Sequence, residues 1–220
     1  MAALLFDLDN TLYPLSLGVV ARIDRRIEEY LHTRVGVALA EVSALRRRFW
    51  KNHGTTLRGL VVHHAVDADD YLHFVHDIAL EDVLQPDPEL AALLGRLPDR
   101  KIVVTNASRA HARRVLGALG VATAFEAVYA LEDFDYVPKP APEAFRIVLE
   151  RSGVSASDCS LIDDLTPNLA AAKRLGMRTV WVDEAGSTTE LDDAIDHVVE
   201  RVHAIEAIFS APLARSSTRV

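Results

Sequence analysis

Positive charge is scarce in this 220-residue chain, and lysine is the scarcest source of it. Lys51, Lys101, Lys139 and Lys173 are the only lysines, and the formal net charge is −8. An acidic chain of this kind does not have the surface of a nucleic-acid or acidic-membrane binder, so an anionic partner must be met by local positive charge. Cysteine is scarcer still: Cys159 stands alone, which excludes an intrachain disulfide and suits a small apolar filler. No apolar run approaches the ~18–20 residues of a membrane-spanning helix. No basic segment leads an apolar one at the N-terminus, so a cytoplasmic home is expected. The remaining composition, half apolar and a quarter charged, is that of a globular domain with room for a sizeable core.

Two carboxylates at the start of the chain carry the first chemical signal. Ala2 to Phe6 is a short, uninterrupted apolar run and reads as a buried strand, and Asp7-Leu8-Asp9-Asn10-Thr11 follows directly. A lone ionised carboxylate is costly to bury, so the pair needs solvent or a cation. Alternation along an extended strand points Asp7 and Asp9 to the same side.

Helical periods come next. Val20, Ile23, Ile27, Leu31 and Val35 mark one helix, and Val42, Leu45, Phe49 and Trp50 a second. Leu57, Leu60, Val61 and His64 mark a third, and Tyr71, Phe74, Val75 and Ile78 a fourth, with Asp67 or Asp69 as its N-cap. Pro86-Asp87-Pro88 breaks the chain. Strands and helices then alternate. KIVVT (101–105) precedes a helix through Val115, Leu116 and Leu119 that Gly120 can end, and AVYAL (127–131) precedes a helix over 142–151. Ser160 to Ile162 leads to Asp163-Asp164, then to a helix with Thr166 as N-cap, Pro167 in its first turn and Gly176 as terminator. TVWV (179–182) reads as the last clear strand, and the tail from Ala211 frays.

Such alternation predicts an α/β fold with a doubly wound parallel sheet. The distance from Asp9 to Thr105 far exceeds a simple crossover. Residues 1–13 and 86–220 are therefore read as the core, and residues 14–85 as an all-helical cap inserted after the first strand. In a doubly wound sheet the ligand crevice lies outside the carboxyl ends of the strands. Asp7, Asp9, Thr105, Asn106, Asp163 and Asp164 all fall there, and Lys139 lies in the connection after AVYAL. Clustered carboxylates repel each other and would have raised pKa values. A hard divalent cation such as Mg²⁺ relieves this, and a phosphate suits that cation. Asp7 is then the nucleophile, Asp9 the general acid and base, and Thr11 the group that orients Asp9. Thr105, Asn106 and Lys139 would hold the phosphate.

These motifs resemble the haloacid dehalogenase superfamily of phosphatases: Asp7 to Thr11, Thr105-Asn106, Lys139 and Asp163-Asp164 occur in that family's order. The resemblance implies metal held by Asp7, the main-chain carbonyl of Asp9, and Asp164, with Asp163 direct or through water. The position four after Asp164, often acidic in the family, is Asn168. DNTLY (9–13), GTTLRGL (54–60), YLHFVH (71–76) and TNAS (105–108) resemble its pyrimidine 5′-nucleotidase branch. That implies a small phosphorylated substrate such as UMP or CMP. A monomer or homodimer is expected, and the acidic charge and lack of long apolar runs leave neither a nucleic-acid polymer nor a membrane as an expected partner. The cap would close over the cleft and select the leaving group, with GTTLRG as its specificity segment and Arg58 touching the substrate.

Other readings stand beside this one. The rim motifs grip only the phosphoryl group, so a sugar phosphate or phosphoglycolate fits them too. A haloacid dehalogenase has little use for Asp9. A phospho-acceptor switch uses similar residues but no inserted cap. Arg46-Arg47-Arg48 reads as a solvated helix face, and Tyr13 either faces the cleft or packs. His63, His64, His73 and His76 read as packing or surface residues, because their spacings split them between faces.

Overall fold

A computed structural model describes residues 2–186 and 193–209. Six parallel strands form one sheet: β1 (Ala3–Phe6), β2 (Arg100–Val104), β3 (Ala127–Tyr129), β4 (Cys159–Asp163), β5 (Arg178–Val182) and β6 (His197–Val199), in the order β3-β2-β1-β4-β5-β6. The expected doubly wound sheet is therefore present. All four residues of β1 are buried, as a central strand covered on both faces requires. It is flanked by β2 and β4, with Phe6 opposite Val103 on one side and Ile162 on the other. The strand order reverses at β1, so the crevice of such a sheet opens above its carboxyl end.

Five α-helices lie between β1 and β2, and the first four are α1 (Val19–Thr33), α2 (Leu39–His53), α3 (Thr56–His64) and α4 (Ala68–His76). Their apolar stripes meet one another. Tyr30 of α1 packs edge-on against Tyr71 and Phe74 of α4, with centroids 5.0 and 5.2 Å away. Asp67, rather than Asp69, caps α4, its carboxylate accepting from Asp70 N. Val35 lies beyond the end of α1.

Pro86-Asp87-Pro88 does not simply break the chain. It starts α5 (Pro88–Arg96), a helix the sequence reading passed over, with Asp87 accepting from Leu90 N and Pro88 in the first turn, where a missing N–H costs nothing. Then come α6 (Arg109–Ala118), α7 (Pro142–Ser152) and α8 (Thr166–Arg174). β3 ends at Tyr129, and Leu131 opens a 3₁₀ turn over Leu131–Phe134 instead of extending the strand. Thr166 is the first residue of α8 and not its cap. The N-cap is Leu165, whose N–H donates to Asp163 Oδ1 at 2.9 Å. β6 was not expected; two of its three residues are exposed, so it leaves no apolar pattern. The tail expected to fray lies outside the described residues. Among the described residues, no helix is long and apolar enough to cross a membrane.

Candidate active site

Asp7 follows β1 directly and continues its ladder, with its N–H donating to Ile162 O at 2.9 Å. Asp163 is the last residue of β4, the neighbouring strand. Between them stands the Lys139 ammonium, 2.9 Å from Asp7 Oδ1 and 2.8 Å from Asp163 Oδ2. Lys139 is only 2% exposed. An unpaired buried ammonium is costly, and here the two carboxylates offset the cost. Burial alone would lower its pKa; Asp163 and Asp7 outweigh that and hold it above the ordinary lysine value.

The acids are less well compensated. Burial raises the Asp7 pKa well above the ordinary value, Lys139 opposes this, and Asp163 and Asp164 add to it. Asp164, half-buried and hydrogen-bonded to the Asn10 side chain, is pushed up to about 6 by burial and by Asp163. Asp7, Asp163 and Asp164 each bring an oxygen within 4.8 Å of the others. Three converging carboxylates with one ammonium are a donor set short of positive charge, and hard oxygen donors fit a small divalent cation. Within that set Asp163 is committed: besides Lys139 and Leu165 N, it accepts from Asn168 Nδ2 at 2.9 and 3.0 Å. Asn168 thus holds Asp163 from below, and Asp7 and Asp164 are left as the freer donors.

Thr11 does not orient Asp9; its buried hydroxyl has no hydrogen-bond partner among the described residues. Tyr13 does so instead, with its phenol donating to Asp9 Oδ1. The other partner is His111, whose Nε2 lies 3.0 Å from the same oxygen. Burial opposes ionisation of Asp9, but His111 and the Tyr13 hydrogen bond prevail and hold its pKa below the ordinary value. The same contact and burial push the Tyr13 phenol up. His76 stacks on His111 with centroids 4.5 Å apart, and burial together with His111 lowers its pKa to about 3, so it is neutral. His76 is therefore a wall of the site and not a surface histidine. His111 was missed altogether. Its signal lay in its place, in the first turn of a helix capped by Ser108 just after the Thr105-Asn106 rim.

The second rim motif acts on the lysine segment. Asn106 donates from Nδ2 to Lys139 O at 3.0 Å and accepts from Lys139 N at 2.8 Å, so its amide clasps the lysine backbone. Thr105 Oγ1 accepts from Ala107 N at 3.0 Å. Above these groups opens a cavity of about 710 Å³, bounded by Asp7, Asp9, Asn106, Lys139 and Asp164 below and by α1–α4 above. Gly54, Thr55, Thr56 and Leu57 line it, whereas Arg58 does not. Arg46, expected on a solvated face, does line it; its guanidinium is held by Asp24 and Glu28.

Residues 1–176 match the family model of the haloacid dehalogenase-like hydrolases. Over 187 residues the chain is 29% identical to Phosphate metabolism protein 8 of Saccharomyces cerevisiae, covering 78% of this chain and 58% of the yeast protein. It thus spans little more than half of that relative. It is also 28% identical to a phosphoglycolate phosphatase of Shigella dysenteriae, over 80% of this chain and 78% of that protein. Among solved structures, a HAD phosphatase from Thermococcus onnurineus superposes with a TM-score of 0.64 at 20% identity, covering 94% of this chain and 97% of that one. The L-2-haloacid dehalogenase of Xanthobacter autotrophicus superposes at 0.61 with 17% identity, covering 96% and 99%. At such identities the superpositions establish the fold alone.

Proposed function

Because the chain belongs to the haloacid dehalogenase-like hydrolase family, we propose that it is a phosphomonoesterase acting through an aspartyl-phosphate on Asp7. The observation that carries this reading is the buried Lys139 bridging Asp7 and Asp163 at the floor of the cleft, beside Asp164. A dehalogenase would need only one working carboxylate. Here a second, Asp9, is held by two hydrogen-bond partners beside the first.

Asp7 attacks phosphorus, the ester P–O bond breaks, and Asp9, ionised in the free cleft and protonated once the phosphate dianion sits beside it, delivers that proton to the departing oxygen. Asp9 then takes a proton from water as that water attacks phosphorus and frees Asp7. Lys139 neutralises charge on Asp7 and on the phosphoryl oxygens. Asp7, Asp164 and the main-chain carbonyl of Asp9 would hold Mg²⁺, with Asp163 behind them; the cation would offset phosphate charge and carboxylate repulsion. Asn106 fixes Lys139, and Tyr13 with His111 aims Asp9. Residues 14–85 serve as the cap over this floor.

The substrate we favour is a pyrimidine nucleoside 5′-monophosphate. The upper cavity wall supports it: Val20, Ile23, Ile27, Leu57 and Val75 are apolar, and Trp50, 57% exposed, stands among the lining residues. A planar base can bury against such a wall. A glycolate leaving group carries its own carboxylate and gains little from that wall; of the cap cations that line the cavity, Arg46 is already paired and Lys51 is the one left for an anion.

A screen of nucleotides, sugar phosphates and phosphoglycolate with Mg²⁺ tests the reading. UMP or CMP should exceed phosphoglycolate in kcat/KM by about tenfold or more, equivalent to about 1.4 kcal/mol of differential binding. EDTA should silence the enzyme and Mg²⁺ restore it; indifference to both would remove the cation. Trp50→Ala should raise KM for nucleotides several-fold and leave that for a small phosphate ester unchanged. For Asp9→Asn, turnover of nucleotides should fall on the order of 10²–10⁴-fold. With p-nitrophenyl phosphate, whose leaving group needs no proton, the pre-steady-state burst of nitrophenol should keep its rate while steady-state hydrolysis falls with the lost base; a burst slowed as much as nucleotide cleavage would exclude Asp9 as the acid.

A further inference from the structure

Away from the carboxylates, two imidazoles meet head to head. His53 ends α2 and His63 lies near the end of α3, with their Nε2 atoms 3.0 Å apart. Phe49 sets their orientation. The His63 ring stacks on it at 5.5 Å and 6°, and the His53 ring meets it edge-on at 5.8 Å and 71°. Phe49 is itself fixed: it is 2% exposed and pressed against Gly59, where an added Cβ would lie 2.2 Å from its ring. The pair is thus held in place by packing. Among the described residues neither ring is salt-bridged to a carboxylate.

We propose that His53 and His63 form a bidentate site for a borderline transition-metal ion of the Cu²⁺ or Ni²⁺ class, bolting α2 to α3. Metal–imidazole bonds are ~2.0–2.1 Å, so two nitrogens on one ion stand about 2.9–3.4 Å apart, from right-angle to tetrahedral geometry. The observed spacing falls at the right-angle end, which suits tetragonal Cu²⁺ or Ni²⁺. Imidazole donors do not suit Mg²⁺, which prefers the oxygens of the cleft. In the free pair one Nε2–H donates to the other ring; with an ion bound, both rings carry their hydrogen at Nδ1. Water completes the coordination shell. The site is next to Gly54, whose Cβ position would lie 3.3 Å from Pro138, the residue before Lys139, so loading should stiffen the turn over 54–57 against the lysine segment.

The test is a Cu²⁺ titration of untagged, full-length protein in saturating Mg²⁺, which occupies the carboxylates. Trp50 lies one turn before His53 on α2 and is exposed, so its fluorescence reports a nearby paramagnetic ion. Saturable quenching by one equivalent is expected, with the midpoint weakened about tenfold or more in His53→Ala and in His63→Ala but unchanged in His73→Ala. His63→Gln, which keeps the bulk on Phe49, should behave like His63→Ala. Amide hydrogen exchange over 54–57 should slow on loading in the parent protein only. Identical midpoints in parent and variants would overturn the site, as would quenching that Mg²⁺ displaces. Binding without slowed exchange would overturn the link to the turn.

Discussion

Asp7→Asn should lose turnover by on the order of 10⁴-fold or more, the scale seen when a covalent nucleophile is removed from a working site. The fold should survive. Asparagine has the same shape, its Oδ1 can still accept from Lys139 Nζ, and Asp163 remains as a counterion to the ammonium. The substitution also removes one anion from a group whose repulsion and burial already raise the Asp7 pKa. Thermal unfolding should therefore shift by no more than about 1.5 kcal/mol, the range of one hydrogen bond. Steady-state rates and a melting curve on one preparation decide the matter. Residual activity above about 1%, set against that expected loss, would remove Asp7 as the nucleophile. A collapsed melting curve would make the assay uninformative about chemistry, so acid-quench trapping of phosphate on protein provides the second readout, with label on the parent and none on the variant.

Lys139→Ala should give the largest loss of stability. Removing one partner of a buried ion pair leaves uncompensated charge, a loss of about 3–5 kcal/mol. Here two carboxylates lose their partner at once, and Asp163 is fully buried. The loss should be smaller in a background carrying Asp163→Asn, because one of the stranded charges is then absent; a double-mutant cycle in denaturant measures the difference. The sign with pH is also fixed. With Lys139 gone, Asp7 has a folded-state pKa further above its unfolded value, so the folded variant binds more protons than the unfolded chain through the carboxylate range. Lowering the pH into that range should recover part of the stability. A variant as stable as its parent at neutral pH would show that water reaches and solvates both carboxylates.

Much of this architecture could be read from residue order. The run before Asp7, the alternation after Pro88 and the position of Pro167 in a first turn are local signals, and β1, β2, β4 and α8 follow from them. The acids of the rim were legible for the same reason: a residue at the carboxyl end of a predicted strand has its place fixed by the topology. What was not legible depends on contacts across the fold. Nothing near Asp9 in sequence identifies His111, because a helix from another crossover brings it there. Asn106 looked like a ligand for phosphate, yet its amide matches the Lys139 backbone, a pairing visible only once β2 and the lysine segment lie side by side. α5 was lost because Pro86-Asp87-Pro88 was read as punctuation, although Asp87 is a helix cap and Pro88 a first-turn residue. β6 is too short and too exposed to carry a pattern.

The central position of β1 also bears on biosynthesis. Ala3 takes its sheet partners from Arg100 on one side and Cys159 on the other. Of the six strands β1 is made first, and it waits for β4, most of the way along these 220 residues, before both flanks are sealed. Until Cys159 to Ile162 emerge, that apolar segment offers a bare row of amides and carbonyls to any neighbouring nascent chain. Closure over such sequence separations is slow. Fragments ending before β4 should accordingly be the species that chaperones hold and that self-associate.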